Sequence, residues 1–215
     1  MQIVLTDVLT CPRCGPDFGL VVLADRLAER RVVQGSLGCA NCREMYPIDQ
    51  GLADLRFPPG PRPDPRTVDV TAEAEERSPE EALRLAALLG VTGGPGLIRL
   101  VGSSTRLAAE LVGIVPDIGI VAAGPDMAGR EDVPGINRIH VESGLPLRSR
   151  SVRGVAVAVP DPEAYLAEAV RVLLPGGRIV IEPAPAETGD RLRAMSLNVL
   201  LEQDGVVVAS ATGGG

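Results

Sequence analysis

The chain has 215 residues, 45% of them hydrophobic and only 2% aromatic, enough for one ordinary domain and a smaller one around a core of Val, Leu, Ile and Ala. A net charge of −7 and a pI near 4.9 disfavour a broad nucleic-acid surface, which needs clustered positive charge to neutralise phosphates. The opening residues lack the basic flank and apolar run of a signal peptide, and no segment reaches the roughly 20 apolar residues of a membrane span, so a soluble cytoplasmic protein is expected.

First in chain order come two cysteine pairs, Cys11-Pro-Arg-Cys14 and Cys39-Ala-Asn-Cys42. This spacing lets two thiolates on one turn reach a single ion, and two such turns complete a tetrahedron around zinc. Gly15 supplies the positive φ that a knuckle turn needs. Disulfides and a redox pair are the competing readings. A reducing cytoplasm opposes the first, and a redox motif calls for one pair beside a strand-to-helix step, not two matched pairs. Four thiolates leave no open coordination position. Zinc held by Cys11, Cys14, Cys39 and Cys42 would therefore be structural, and would supply much of the stability of so small a module.

The stretches "LTDVLTCPRCG" and "LGCANCREMYPIDQGLADL" resemble the small zinc-binding activator subunit of tRNA, rRNA and protein methyltransferases, and its short bacterial relatives. The shared features are an apolar helix leading into C-P-x-C, then C-x-x-C, Tyr46-Pro47-Ile48, and a turn at Asp49 and Gly51 before a strand. The resemblance covers residues 1–56. It implies a small zinc-binding α+β domain that docks on a methyltransferase through an exposed strand and an apolar patch.

Residues 57–70 read as a proline-rich linker, with five prolines in "FPPGPRPDPR", either semi-rigid or strapped to the surface. The run 73–77, "EAEER", reads as a solvated helix face. Ser78, Pro79 and Glu81 mark a helix start, and Gly90 its end. "TGGPG" (92–96) precedes a strand and lacks Lys, so it is a turn and not a phosphate loop.

Beyond it, apolar runs predict strands at 97–101, 118–123, 136–141, 152–159, 177–182, 197–202 and 205–210, with helices at 105–114, 161–173 and 187–195. Alternating strands and helices imply a doubly wound parallel sheet, and Asp204-Gly205 predicts a closing antiparallel hairpin. Such a sheet is the arrangement of class I methyltransferases, a Rossmann-like α/β fold. Within it, "EAVRVLLPGGRIVIEPAP" (168–185) resembles the Pro-Gly-Gly segment of the methyltransferase type 11 group, and "ESGLPLRSRSVRGVAVA" (142–158) its approach to the fourth strand. The methyltransferase-like domain is expected over 71–212.

That resemblance implies an S-adenosylmethionine site at the strand ends, near Gly102, Ser103, Ala123 and Glu142. The family pattern there is an acid followed by three alternating glycines. In this chain Arg99 stands at the acid, Val101, Ser103 and Thr105 stand at the glycines, and Gly102 lies one place off register. Ala122 and Ala123 replace the acid that accepts the ribose hydroxyls, with Asp126 three residues beyond. Arg153 stands where type 11 members carry Asp, and only Glu142 could imitate the loop acid that meets adenine. Side chains at glycine positions fill space that the cofactor needs, and each unpaired ribose hydroxyl costs about 1–3 kcal/mol. The departures predict a degraded cofactor site.

The hydroxyls of Ser103, Ser104 and Thr105 read first as helix N-caps, and second as an anion cradle with Arg99 or Arg106. His140, alone in an apolar strand, reads as structural, and Asp161 as a helix cap. No catalytic residue is assigned. The expected function is a pseudo-methyltransferase: a zinc-stabilised binding or scaffold protein with a methyltransferase or translation-related partner, and with a homodimer left open. Two alternatives remain. One is a divergent methyltransferase acting on RNA, protein or a small molecule; the other is a sheet that has taken up another anionic ligand.

Overall fold

The computed structural model describes residues 1–58, 60, 78–130, 132–142 and 144–213. Most of the expected linker 57–70 and the charged run 73–77 lie outside the described residues. So does the Asp126 side chain.

In chain order the elements are β1 (Thr10–Cys11), β2 (Gly15–Ala28), β3 (Arg31–Cys39), β4 (Met45–Asp49), β5 (Leu52–Asp54), α1 (Pro79–Leu89), β6 (Gly96–Gly102) and α2 (Ala108–Ile114). Then follow β7 (Ile118–Ala123), β8 (Ile136–His140), β9 (Val152–Ala158), α3 (Glu163–Val172), β10 (Leu173–Ile181), α4 (Thr188–Ala194), β11 (Leu197–Gln203) and β12 (Val206–Ala211). Short 3-10 helices cover Ile3–Asp7, Ser103–Leu107 and Pro125–Gly129. Among the described residues no helix is long and apolar enough to cross a membrane.

The chain forms two compact units that do not follow chain order. One holds Met1–Glu75 and Val121–Arg148; the other holds Glu76–Ile120 and Ser149–Gly215.

In the first unit, β1 to β5 pair successively and antiparallel. β5 then pairs in parallel with β8, in the register Leu52↔Arg138, Ala53↔Ile139 and Asp54↔His140. The N-terminal sheet is thus extended by a strand from the middle of the chain. All five residues of β8, Ile-Asn-Arg-Ile-His, are buried, and three of them are polar. Buried polar groups need partners, and the N-terminal segment provides some of them. Asn137 exchanges hydrogen bonds with Gln2. The Arg138 guanidinium donates to the Gln50 and Arg130 carbonyls at 2.6 and 2.5 Å. Backbone bonds Thr10 N–H to Pro146 O (2.9 Å) and Arg148 N–H to Val8 O (2.8 Å) fasten the segment that follows β8.

In the second unit β6, β9 and β10 run parallel, and β10, β12 and β11 follow antiparallel. The expected parallel sheet and closing hairpin are both present. Asp204 and Gly205, with φ of 51° and 75°, make the tight turn with two positive φ values that fits the twist of the flanking strands. α1 starts as expected: the Glu81 N–H donates to Ser78 Oγ at 3.2 Å, and Gly90 closes it at φ 67°. The expected helix 105–114 divides into a 3-10 turn and α2. β10 begins before the Pro-Gly-Gly segment, with an irregular register between Leu173 and Arg178, so this segment is a bulge within a strand.

Candidate metal centre and strand-end crevice

Cys11 closes β1 and Cys39 closes β3, while Cys14 and Cys42 lie in the turns beyond them. Gly15 (φ 91°) and Arg43 (φ 63°) adopt the left-handed conformations that bend the chain back after each pair. The four sulfurs lie within 4.8 Å of one another. Two of the separations are 3.7 Å (Cys11–Cys42) and 3.8 Å (Cys14–Cys39). A tetrahedron with Zn–S bonds of about 2.3 Å has S···S edges of about 3.8 Å. Both separations match such edges, so the four cysteines, all free of disulfides, could hold a metal ion.

The electrostatics fit the same chemistry. Burial opposes the Cys39 thiolate, but the backbone N–H groups of Cys42 and Asn41 outweigh it and bring the thiol down to about 7. At Cys42 the Glu44 N–H favours the thiolate. Burial and the sulfurs of Cys14, Cys39 and Cys11 overcome it and push the thiol up to about 12. Four clustered sulfurs cannot all ionise without a cation between them.

The second candidate region is the end of β6. Gly102 has φ 70° and ψ −143°, and a Cβ there would meet the Ala158 carbonyl oxygen at 2.2 Å. The glycine is thus required by its packing against β9. The N-cap reading of the following hydroxyls is corrected: Gly102 occupies the N-cap position and no side chain caps the turn. Instead each hydroxyl bonds to a nearby carbonyl. Ser103 Oγ reaches Ala158 O at 3.3 Å, Ser104 Oγ reaches Val101 O at 2.9 Å, and Thr105 Oγ1 reaches Gly102 O at 2.8 Å. For Ser104 and Thr105 the 3-10 geometry explains this, because a hydroxyl at position i lies beside the carbonyl at i−3.

Arg99, at the position of the expected acid, is 1% exposed, and among the described residues none of its guanidinium nitrogens has a hydrogen-bond partner. Burial pulls it down to about 9. Arg153 donates to the Gly93 carbonyl at 2.5 Å and so pins the turn 92–96. Ser103 lines a cleft of about 300 Å³ bounded by α1, the 3-10 turn and the ends of β9 and β10. The cleft's charged side chains pair with each other, Arg84 with Glu182 at 2.8 Å and Arg106 with Glu81.

Of the four residues expected at the cofactor, Gly102 and Ser103 belong to the second compact unit, while Ala123 and Glu142 belong to the first. Ala122 and Ala123 end β7 fully buried, and Glu142 is exposed just after β8. Sequence reasoning missed the polar seam at the ends of β5 and β8. There Arg56 clasps Asp54 through two bonds of 2.9 and 2.6 Å, with His140 Nδ1 at 4.0 Å. The signal lay in "INRIH", a strand too polar for its expected burial.

Residues 4–51 match the sequence model of the Trm112p-like protein family. No curated protein matches the sequence. Among solved structures, the [4+2]-cyclase SpnF is similar over 63% of this chain and 81% of its own, at 15% identity and a TM-score of 0.53. A SAM-dependent methyltransferase from Aquifex aeolicus is similar over 69% of this chain and 99% of its own, at 16% identity and a TM-score of 0.45. A chain from the complex of the Haloferax volcanii Trm112 methyltransferase activator with a candidate methyltransferase gives 62% and 90% coverage, 16% identity and a TM-score of 0.48. The polypeptide therefore joins an N-terminal segment that matches the Trm112p-like model and carries a four-cysteine cluster to an α/β domain with the fold of the cyclase SpnF.

Proposed function

We propose that this chain is a pseudo-methyltransferase: a zinc-stabilised module over 1–56, a linker over 57–70 and a methyltransferase-like domain over 71–212 that binds or scaffolds a protein partner without using S-adenosylmethionine. One observation carries this reading. The strand that should present an acid to the cofactor buries an unpartnered arginine, Arg99, and the turn after it spends its hydroxyls on its own backbone. A ligand with a cationic sulfonium and ammonium would meet neither the expected acid nor open glycine backbone there. The module's parallel strand partner lies in its own chain, which suits a built-in brace.

A divergent methyltransferase is the second reading, and the observation in its favour is the cleft beside Ser103. Thermal melting separates the two. A ligand bound at about 10 μM and supplied at 1 mM adds about 2.7 kcal/mol. The proposed reading expects no shift of the melting temperature with S-adenosylmethionine, whereas a rise of several degrees would favour the second reading.

A further inference from the structure

Tyr46 stands on β4 opposite Leu37, on the buried face of the sheet, and is fully inaccessible to solvent. Its hydroxyl lies 3.4 Å from Cys11 Sγ. Asn41 Nδ2 donates to Cys14 Sγ at 3.3 Å. At the other two sulfurs the backbone N–H groups of Cys42 and Asn41 favour the Cys39 thiolate, and that of Glu44 favours the Cys42 thiolate. Tyr46 and Asn41 thus lie within hydrogen-bond reach of the first cysteine pair from outside the set of four.

We infer that Tyr46 and Asn41 are positioning residues for the first cysteine pair, donating hydrogen bonds to the metal-bound thiolates of Cys11 and Cys14. A thiolate is a strong acceptor and a thiol a weak one. The buried Tyr46 hydroxyl is thus well satisfied only when Cys11 is ionised, which is the state that a metal enforces. Its hydrogen bond draws charge from the sulfur, orients it, and couples the occupied cage to the core beneath β4. Asn41 acts in the same direction from the exposed side, where water competes with it. This inference rests on the reading that the four cysteines hold a metal.

The test uses the full chain with cobalt(II) as the probe, measuring affinity by chelator competition and the sulfur-to-cobalt charge-transfer band by absorption. Tyr46→Phe keeps the ring and removes the donor. Cobalt affinity is expected to fall about 10–100-fold, as is typical when an outer-shell hydrogen bond is lost, and the band to move to lower energy because the sulfur becomes more electron-rich. Asn41→Ala is expected to shift both quantities in the same direction by less. Wild-type affinity and an unmoved band in Tyr46→Phe would overturn the inference. If that variant does not fold, an unmoved band and affinity in Asn41→Ala would do so. A wild-type chain that binds no cobalt would overturn the metal reading itself, a failure distinct from the others.

Discussion

Gln2 and Asn137 hold each other through two hydrogen bonds. The Gln2 backbone N–H donates to Asn137 Oδ1 at 2.7 Å, and Asn137 Nδ2 donates to Gln2 Oε1 at 3.1 Å. They lie 135 positions apart in sequence and join the start of the chain to β8. Asn137 is fully buried. Replacing it with Leu strands the Gln2 N–H without an acceptor, at a cost of about 1–3 kcal/mol. Urea denaturation should show this loss, and hydrogen exchange should show faster opening of the Gln2 amide. Unchanged exchange would mean that the pair does not fasten the N-terminal segment.

Arg99 invites the opposite change. A buried cation without partners opposes folding, and aliphatic replacement of buried charges is often stabilising by about 1–4 kcal/mol. Arg99→Met should therefore raise the denaturation midpoint. The pH dependence has a definite sign. Burial lowers the folded-state value to about 9 from the ordinary 12.5, so above pH 9 the unfolded chain binds more protons than the folded one. Stability from this residue rises with pH there. The advantage of Arg99→Met should shrink between pH 9 and pH 10; a constant advantage would place Arg99 beside an anion.

Much of the architecture was legible beforehand, for identifiable reasons. Ser78 and Gly90 bracket α1 because capping is local chemistry, and Asp204-Gly205 specifies its hairpin because few residues accept two positive φ values. The cysteine cluster followed from thiolate spacing. What escaped was non-local. The hydroxyls at 103–105 suit an N-cap by composition, but a 3-10 start and the carbonyl of β9 recruit them instead. The seam of Asp54, Arg56 and His140 exists only because β5 pairs with β8, a register that no short window of sequence contains.

Gly102→Ala examines the tight approach of β6 to β9. The new methyl group would sit 2.2 Å from the Ala158 carbonyl oxygen, on a residue at φ 70°. The left-handed backbone alone costs about 1–2 kcal/mol, and the clash adds to it. A loss of about 2 kcal/mol or more is expected in thermal or chemical denaturation. A neutral result would mean that this glycine is dispensable to the packing.

The four-cysteine cage makes a prediction about composition. Cys39→Ser removes one of four ligands, and the purified variant should lose the stoichiometric zinc expected of the wild type. Circular dichroism should retain the signal of the parallel sheet, because β6, β9 and β10 take nothing from the cage. Chelation of the wild type should reproduce the variant, with unfolding confined to the first compact unit. Full zinc content in Cys39→Ser, measured by atomic emission, would exclude Cys39 as a ligand.

Calorimetric titration of the intact, zinc-loaded chain with S-adenosylmethionine tests the central claim most directly. With Arg99 in place of the acid and the turn at 103–105 closed on its own backbone, no heat of binding is expected up to millimolar ligand. A saturable isotherm with micromolar affinity would contradict the account and return the chain to the working methyltransferases.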